Sequence, residues 1–170
     1  YKSKLKIDTL INCAGITNGS IFELTSQKKL KQNFEVNFFS QINLTQMLLF
    51  FLKKKKNSSI INIGSISGIV PDRGYLSYGS SKAAMMYATK IMANELSNYG
   101  IRVNCIAPGI TKTKMMKTMD KNFKKKYVEE NFLQTECEPE QIGYLASFLA
   151  SDLSSHINGQ IIRIDGGTRI

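Results

Sequence analysis

Along the chain, short runs rich in Ile, Val and Leu alternate with longer segments whose apolar positions recur every three or four residues. The short runs are Ile7 to Asn12, Ser58 to Ser65 with Ile60–Ile63 at its centre, Ile101 to Ala107, and Gln160 to Ile164. Each ends in small or turn-forming residues: Cys13-Ala14-Gly15, Gly64-Ser65, Pro108-Gly109 and Asp165-Gly166-Gly167. That pattern predicts strands buried on both faces. The longer segments predict helices. Thr25-Ser26-Gln27 opens a polar one running to about Asn33. A long one follows to about Lys54, with Phe38, Phe39, Ile42, Leu44, Leu48, Leu49 and Leu52 on a broad apolar face. Another spans about Tyr75 to Asn98 and is capped by Gly100. Lys112 to Asn131 is a charged, Met-rich helical segment without a core pattern, and Glu138-Pro139-Glu140 starts a helix ending near Ala150 with proline in its first turn. Strands alternating with helices predict an α/β fold with a parallel sheet, a single domain over residues 1–170 with no repeat and no linker.

Composition narrows the class. The 170 residues are 42% hydrophobic, enough for one proper core. No apolar run is long enough to span a bilayer, Met47 to Leu52 being far too short, and no signal peptide is visible. Cys13, Cys105 and Cys137 show neither metal-ligand nor disulfide-framework spacing. Buried thiols in a reducing cytoplasm are the simplest reading, and no metal is expected. The net charge of +10 is concentrated in Lys53 to Lys56 and in the lysines between Lys112 and Lys126. Lysines closing an apolar helix complement its macrodipole. With four arginines and no aromatic residues interleaving the Lys53–Lys56 run, a nucleic-acid footprint is weak. A solvated basic surface, or one that meets an acidic protein or a phosphate-bearing substrate, fits better.

The candidate chemistry begins at Ser65, followed thirteen residues on by Tyr78-Gly79-Ser80-Ser81-Lys82. On a helix Tyr78 and Lys82 project from one face. An ammonium beside a phenol favours the phenolate, which would draw a reference pKa of about 10 toward neutrality and make Tyr78 a general acid or base. Taken alone, such a Tyr/Lys pair arises about once by chance in a chain of this composition. Its place between two buried strands gives it weight. Competing residues read differently. Ser67 has the wrong spacing to Tyr78, and Tyr75 has Gly79 four residues on. Asn37 by itself reads as a helix N-cap before the Phe38–Leu52 run. Met85 and Met86 read as packing or subunit interface, His156 as a loop residue and Cys13 as a small buried filler.

Together these segments resemble the short-chain dehydrogenase/reductase family, of the type acting on 3-oxoacyl groups of acyl-carrier protein, over essentially the whole chain. Asn12-Cys13-Ala14-Gly15 is similar to the family's Asn-Asn-Ala-Gly turn, with cysteine for the second asparagine. Asn37, Ser65, Tyr78 and Lys82 resemble its catalytic tetrad. Pro108-Gly109 with Thr111 and Thr113 resembles the segment that meets the nicotinamide carboxamide, and Phe148 to Asp152, Asn158-Gly159 and Asp165-Gly166-Gly167 the C-terminal signature. The resemblance implies a Rossmann-type doubly wound parallel sheet with helices on both faces. It also implies a carbonyl reductase using NADP or NAD, NADPH being favoured. In that scheme Tyr78 is proton donor, Ser65 hydrogen-bonds the substrate oxygen, and Lys82 tunes Tyr78 and binds the nicotinamide ribose. Asn37 would hold a water linking Lys82 to solvent. Asn12, Ala14, Gly15, Pro108, Gly109, Thr111 and Thr113 are the further cofactor contacts it implies. Lys56 stands where this type often has a basic residue for the acidic carrier. A second such position is Tyr99, with Arg102 nearby.

A dinucleotide-binding fold opens on a strand, a glycine-rich turn and a helix that cradle the pyrophosphate. No such glycine cluster is present; Gly15 to Gly19 has the wrong spacing and follows a later strand. The chain therefore reads as the C-terminal two thirds of a longer reductase, beginning at the family's fourth strand, and is expected to be unstable or inactive alone. The partners expected are a small carbonyl compound, free or on acyl-carrier protein, and copies of the same chain in a homotetramer or homodimer, with no nucleic acid and no membrane. A dehydrogenase of a sugar, polyol or other small ketone is the alternative enzyme, and a non-catalytic scaffold the alternative of another class.

Overall fold

The computed structural model describes residues 6–118 and 121–168. Among them, strands β1 (Thr9–Asn12), β2 (Ser58–Ile63), β3 (Ile101–Pro108) and β4 (Ile161–Ile164) form a parallel sheet in that order. The register sets Leu10 beside Ile60, Ile60 beside Val103, and Ile106 beside Ile162. Successive strand side chains point to opposite faces, so adjacent apolar residues of one strand feed two cores. Ile60 enters one with Leu52, Ala93 and Val103, beneath helices α2 (Ser40–Leu52) and α3 (Leu76–Leu96). Ile61 enters the other with Ile106, Ala146 and Leu149, beneath helix α5 (Pro139–Ala150). Both isoleucines are fully buried, which is worth about 1.5–3 kcal/mol each. The Rossmann-type sheet with helices on both faces is thus observed.

Local signals fix several ends. Ser26 accepts from the backbone N–H of Lys29 and caps the first helix, α1 (Gln27–Phe34). Gly100 ends the turn after α3 at φ 69°, and Glu138 and Gln141 form a capping box around Pro139. The structure departs from expectation after α1. There the chain makes a π-helical turn, Glu35–Phe39, before α2 begins, so Asn37 is no N-cap. It lies inside that turn, fully buried. The Lys112–Asn131 segment divides into a 3₁₀ turn (Met115–Thr118) and a helix, α4 (Lys121–Glu130), with residues 119 and 120 outside the described part.

The lysines after α2 are partly engaged. Lys53 Nζ sits 3.6 Å over the Tyr99 ring and Lys54 Nζ 3.9 Å over Phe50, while Lys55 pairs with Asp8 at 2.5 Å. Arg102 is not part of that surface. Its guanidinium is buried, donating to the Leu149 and Ser151 carbonyls and to the Ser154 hydroxyl, so it ties β3 to the end of α5.

Candidate functional site

The C-terminal ends of β1, β2 and β3 open onto a cavity of about 320 Å³, walled by Gly15, Ser65, Tyr78, Lys82, Pro108, Gly109, Thr111 and Thr113 among others. Ser65 is placed by the end of β2. Gly64 donates to the Ile106 carbonyl at 2.7 Å, and a Cβ on it would lie 2.8 Å from Cys105 Sγ, so no larger residue fits before Ser65. The Ser65 hydroxyl accepts from the backbone of Ser67 at 3.2 Å and caps a 3₁₀ turn, Ile66–Gly68. Helix α3 then docks on that turn through two glycines. A Cβ on Gly79 would stand 2.6 Å from the Ser67 carbonyl oxygen, and one on Gly68 2.9 Å from the Ala83 nitrogen. This close approach sets Tyr78 and Ser65 together on the wall of the cavity.

The electrostatics differ from the expected phenolate. Burial pushes the Tyr78 phenol above its ordinary pKa, with the Ser65 hydrogen bond acting in the other direction. Lys82, 3% exposed, donates to the Ile63 carbonyl at 2.7 Å, and its Nζ is 5.9 Å from the Tyr78 ring centroid. Burial pulls its pKa below the ordinary lysine value, while the nearby Cys105 and Cys13 thiols act upward. The ammonium spends its interaction on a backbone carbonyl and its desolvation, so Tyr78 keeps its proton.

Asn37 organises the opposite wall. Its Oδ1 accepts from the Ile16 backbone N–H at 2.8 Å and its Nδ2 donates to the Ile16 carbonyl at 2.9 Å. Nδ2 also donates to Ser81 Oγ at 2.9 Å. Ser81 in turn donates to the Tyr78 carbonyl at 2.7 Å, so the chain after Gly15 is stitched to α3. A Cβ on Gly15 would lie 3.4 Å from Lys82 Nζ. On the far side Gly109 packs on Asp165, where a Cβ would come within 2.7 Å of the aspartate Cβ. Asp165 is held by Arg163 at 2.6 and 2.8 Å and by the Gly167 N–H at 3.1 Å. The C-terminal signature thereby fixes the Pro108–Gly109 turn.

Of the residues singled out in the sequence, Asn12, Ala14 and the fully buried Asn37 stand outside the cavity wall. Asn12 Nδ2 donates to Thr45 at 3.0 Å and to Asn62 at 2.8 Å, and Asn62 donates to Thr89 at 2.9 Å, a buried polar ladder across β1 and β2. The Ala14 carbonyl accepts from Gln41 at 2.6 Å. Sequence reasoning missed Cys13, Met116, Pro139 and Ile142, which line the cavity. The first turn of α5 carried a helix-start signal, but nothing to say that it faces β2 and β3 at this end. A larger hollow of about 790 Å³ lies between Ile21–Glu23 and the residues around Ser67–Leu76, and holds none of Ser65, Tyr78 or Lys82.

A lining that combines the Lys82 ammonium with Gly15, Gly109 and apolar Ile63, Ile142 and Met116 fits a flat heteroaromatic ring joined to a hydroxylated sugar. Among the described residues no group of three or more His, Cys, Asp or Glu could hold a metal ion, and no helix is long and apolar enough to cross a membrane.

The sequence model of a family described as enoyl-(acyl carrier protein) reductase matches residues 2–169. The chain is 36% identical to 3-oxoacyl-[acyl-carrier-protein] reductase FabG of Thermotoga maritima, covering 95% of this chain and 66% of that protein. It is 31% identical to the FabG of Buchnera aphidicola, covering 98% and 68%. The chain thus spans about two thirds of the length of these relatives. Among solved structures it is similar to a 4-hydroxyisoleucine dehydrogenase complexed with NADH, with TM-score 0.89, 30% identity and coverage of 96% and 69%. A putative gluconate dehydrogenase from Agrobacterium tumefaciens gives TM-score 0.85, 25% identity and coverage of 95% and 65%.

Proposed function

Because the chain belongs to the short-chain dehydrogenase/reductase family, we propose that it forms the catalytic part of a nicotinamide-dependent carbonyl reductase. The observation that carries this reading is the convergence of Ser65, Tyr78 and the Lys82 ammonium on one cavity. A nicotinamide held in this cavity would supply the hydride, while the protein supplies the proton and the alignment. Tyr78, kept protonated by burial, gives its proton to the carbonyl oxygen. Ser65 donates a hydrogen bond to that oxygen as charge develops on it. Lys82 stabilises the phenolate left on Tyr78 and would hold the ribose hydroxyls of the cofactor. Gly15, Pro108, Gly109, Thr111 and Thr113 wall the nicotinamide end of the cavity. The role proposed for Asn37 is to lock the Gly15–Ile16 turn beside Lys82, along the path by which Tyr78 is reprotonated. Asn12 and Ala14 support the cofactor only through the backbone they fix.

The substrate we propose is a 3-oxoacyl thioester on acyl-carrier protein, reduced with NADPH or NADH to the 3-hydroxyacyl form. Similarity to the FabG proteins supports it, as does the basic surface of Lys53, Lys54 and Lys56. Lys53 stacked on Tyr99 supplies positive charge at the position where the sequence itself has none. A small hydroxylated ketone or alcohol is the second reading, favoured by the two dehydrogenases of similar structure. Exposed apolar side chains on α2 and α3, Met47, Phe50, Tyr87 and Ile91, support a homotetramer or homodimer built on those helices. The test is to assay the full-length protein with both cofactors against 3-oxoacyl thioesters and a panel of ketones and polyols. Thioester reduction supports the first reading, and turnover confined to polyols the second.

A further inference from the structure

Helix α4 and the loop bearing Ser65 come from distant parts of the chain, and one carboxylate joins them. Asp72 lies between the 3₁₀ turn that Ser65 caps and the start of α3. Its Oδ2 accepts from the Ser67 hydroxyl at 3.2 Å. From the other side it accepts the phenol of Tyr127, which α4 carries. Its backbone carbonyl accepts from the Tyr75 N–H at 3.2 Å, and the Tyr75 ring lies edge-on to Tyr78 with centroids 6.0 Å apart. Beneath these groups is a cavity of about 60 Å³, bounded by Ser65, Asp72, Tyr75, Met116 and Tyr127. It touches Ser65 and is closed by residues of α4 and of the turn before it. Elsewhere α4 is held by ion pairs with substantial exposure, Lys125–Glu129 and Lys126–Glu130 along its own surface. A further pair, Lys124–Glu136 at 2.8 Å, joins it to the loop before α5. None of these reaches the Ser65 loop.

We propose that Asp72 and Tyr127 form a latch which sets α4 and the Met115–Thr118 turn against the Ser65 loop, and that both are positioning residues governing retention of the carbonyl substrate. Neither touches the reacting atoms. The carboxylate fixes where α4 stands relative to Ser65 and Tyr78, and so the depth of the space beside Ser65. A hydrogen bond to a charged acceptor is the stronger kind, and losing the Tyr127 hydroxyl leaves the ring in place while releasing the helix. The substrate aspect rests on the reductase reading above; the mechanical aspect does not.

The test uses the full-length protein with Tyr127→Phe, Asp72→Asn and the double variant, all close in shape to the parent. Hydrogen–deuterium exchange of the α4 amides is measured together with KM for the carbonyl compound and for the cofactor. Each single variant is expected to raise α4 exchange roughly tenfold, with the double variant no faster than either single one. KM for the carbonyl compound should rise by a similar factor while kcat and the cofactor KM stay within about twofold. Unchanged α4 exchange, multiplicative effects in the double variant, or faster exchange without a KM change would each overturn the proposal. If the parent protein reduces no carbonyl, the reductase reading fails, and the exchange measurement still decides whether the latch exists.

Discussion

Replacing Gly79 by alanine adds one methyl group at the closest approach between α3 and the Ser65 turn. The new Cβ would stand 2.6 Å from the Ser67 carbonyl oxygen, which is backbone and cannot rotate away. Carbon–oxygen contacts settle at about 3.3 Å, so helix and turn must separate by roughly 0.7 Å. Overpacking of this kind costs about 1–3 kcal/mol, and the helical gain of alanine over glycine returns about 1 kcal/mol. The net loss of stability is therefore about 0–2 kcal/mol, a fall of several degrees in Tm at most for a protein of this size. The effect on chemistry is larger, because the same displacement separates Ser65 from Tyr78. A misplacement near 1 Å can cost on the order of a hundredfold in rate. Steady-state ketone reduction and thermal unfolding of the full-length protein, read together, separate the two effects. Gly143→Ala is the control. It lies in α5 with nothing within 4 Å of its Cβ, so it should gain up to about 1 kcal/mol and keep full activity. If Gly79→Ala retained parental kcat with a Tm shift no different from that control, the argument from close packing would be refuted.

Other consequences follow from charge and burial. Tyr78 is held above its ordinary pKa and Lys82 below its own, so the reductive rate should be flat through neutrality. It should fall at alkaline pH with an apparent pKa below the ordinary lysine value of 10.5, as Lys82 loses its proton. A pH–rate profile at saturating cofactor checks this, and a limb near pH 6 would contradict it. Arg102→Met leaves the Leu149 and Ser151 carbonyls without their donor, and should lower stability by about 2–4 kcal/mol in denaturant titration without a specific loss of carrier-bound substrate. Lys56→Glu should raise KM for a carrier-protein thioester several-fold while sparing a small ketone, and the difference should shrink with added salt.

Much of this architecture is legible in the residues alone, for identifiable reasons. Ile60 and Ile61 sit in an apolar run too short for a helix, and Gly100 and Pro139 punctuate helix ends by their backbone geometry. Ser65, Tyr78 and Lys82 converge because one strand end and one helix face fix all three. What escaped depends on contacts across the fold. The π turn around Asn37 inserts an extra residue between two helical stretches, and apolar spacing on either side is too loose to reveal it. Arg102 has the composition of a surface residue, and only the carbonyls ending α5 explain its burial. The direction of the Tyr78 shift was equally hidden, since spacing puts Lys82 on the same face but cannot show that Ile63 claims its ammonium.

The central claim is that Tyr78 hands a proton to a bound carbonyl beside Ser65 and Lys82. Its most direct test is single-turnover reduction by Tyr78→Phe in the full-length protein, with cofactor affinity measured on the same sample. The expected result is a loss of at least about a hundredfold in the reductive step with cofactor Kd changed less than about twofold, since only the proton donor is removed. Reduction within about tenfold of the parent rate would contradict it, and the proton would then have to come from another group in the cavity.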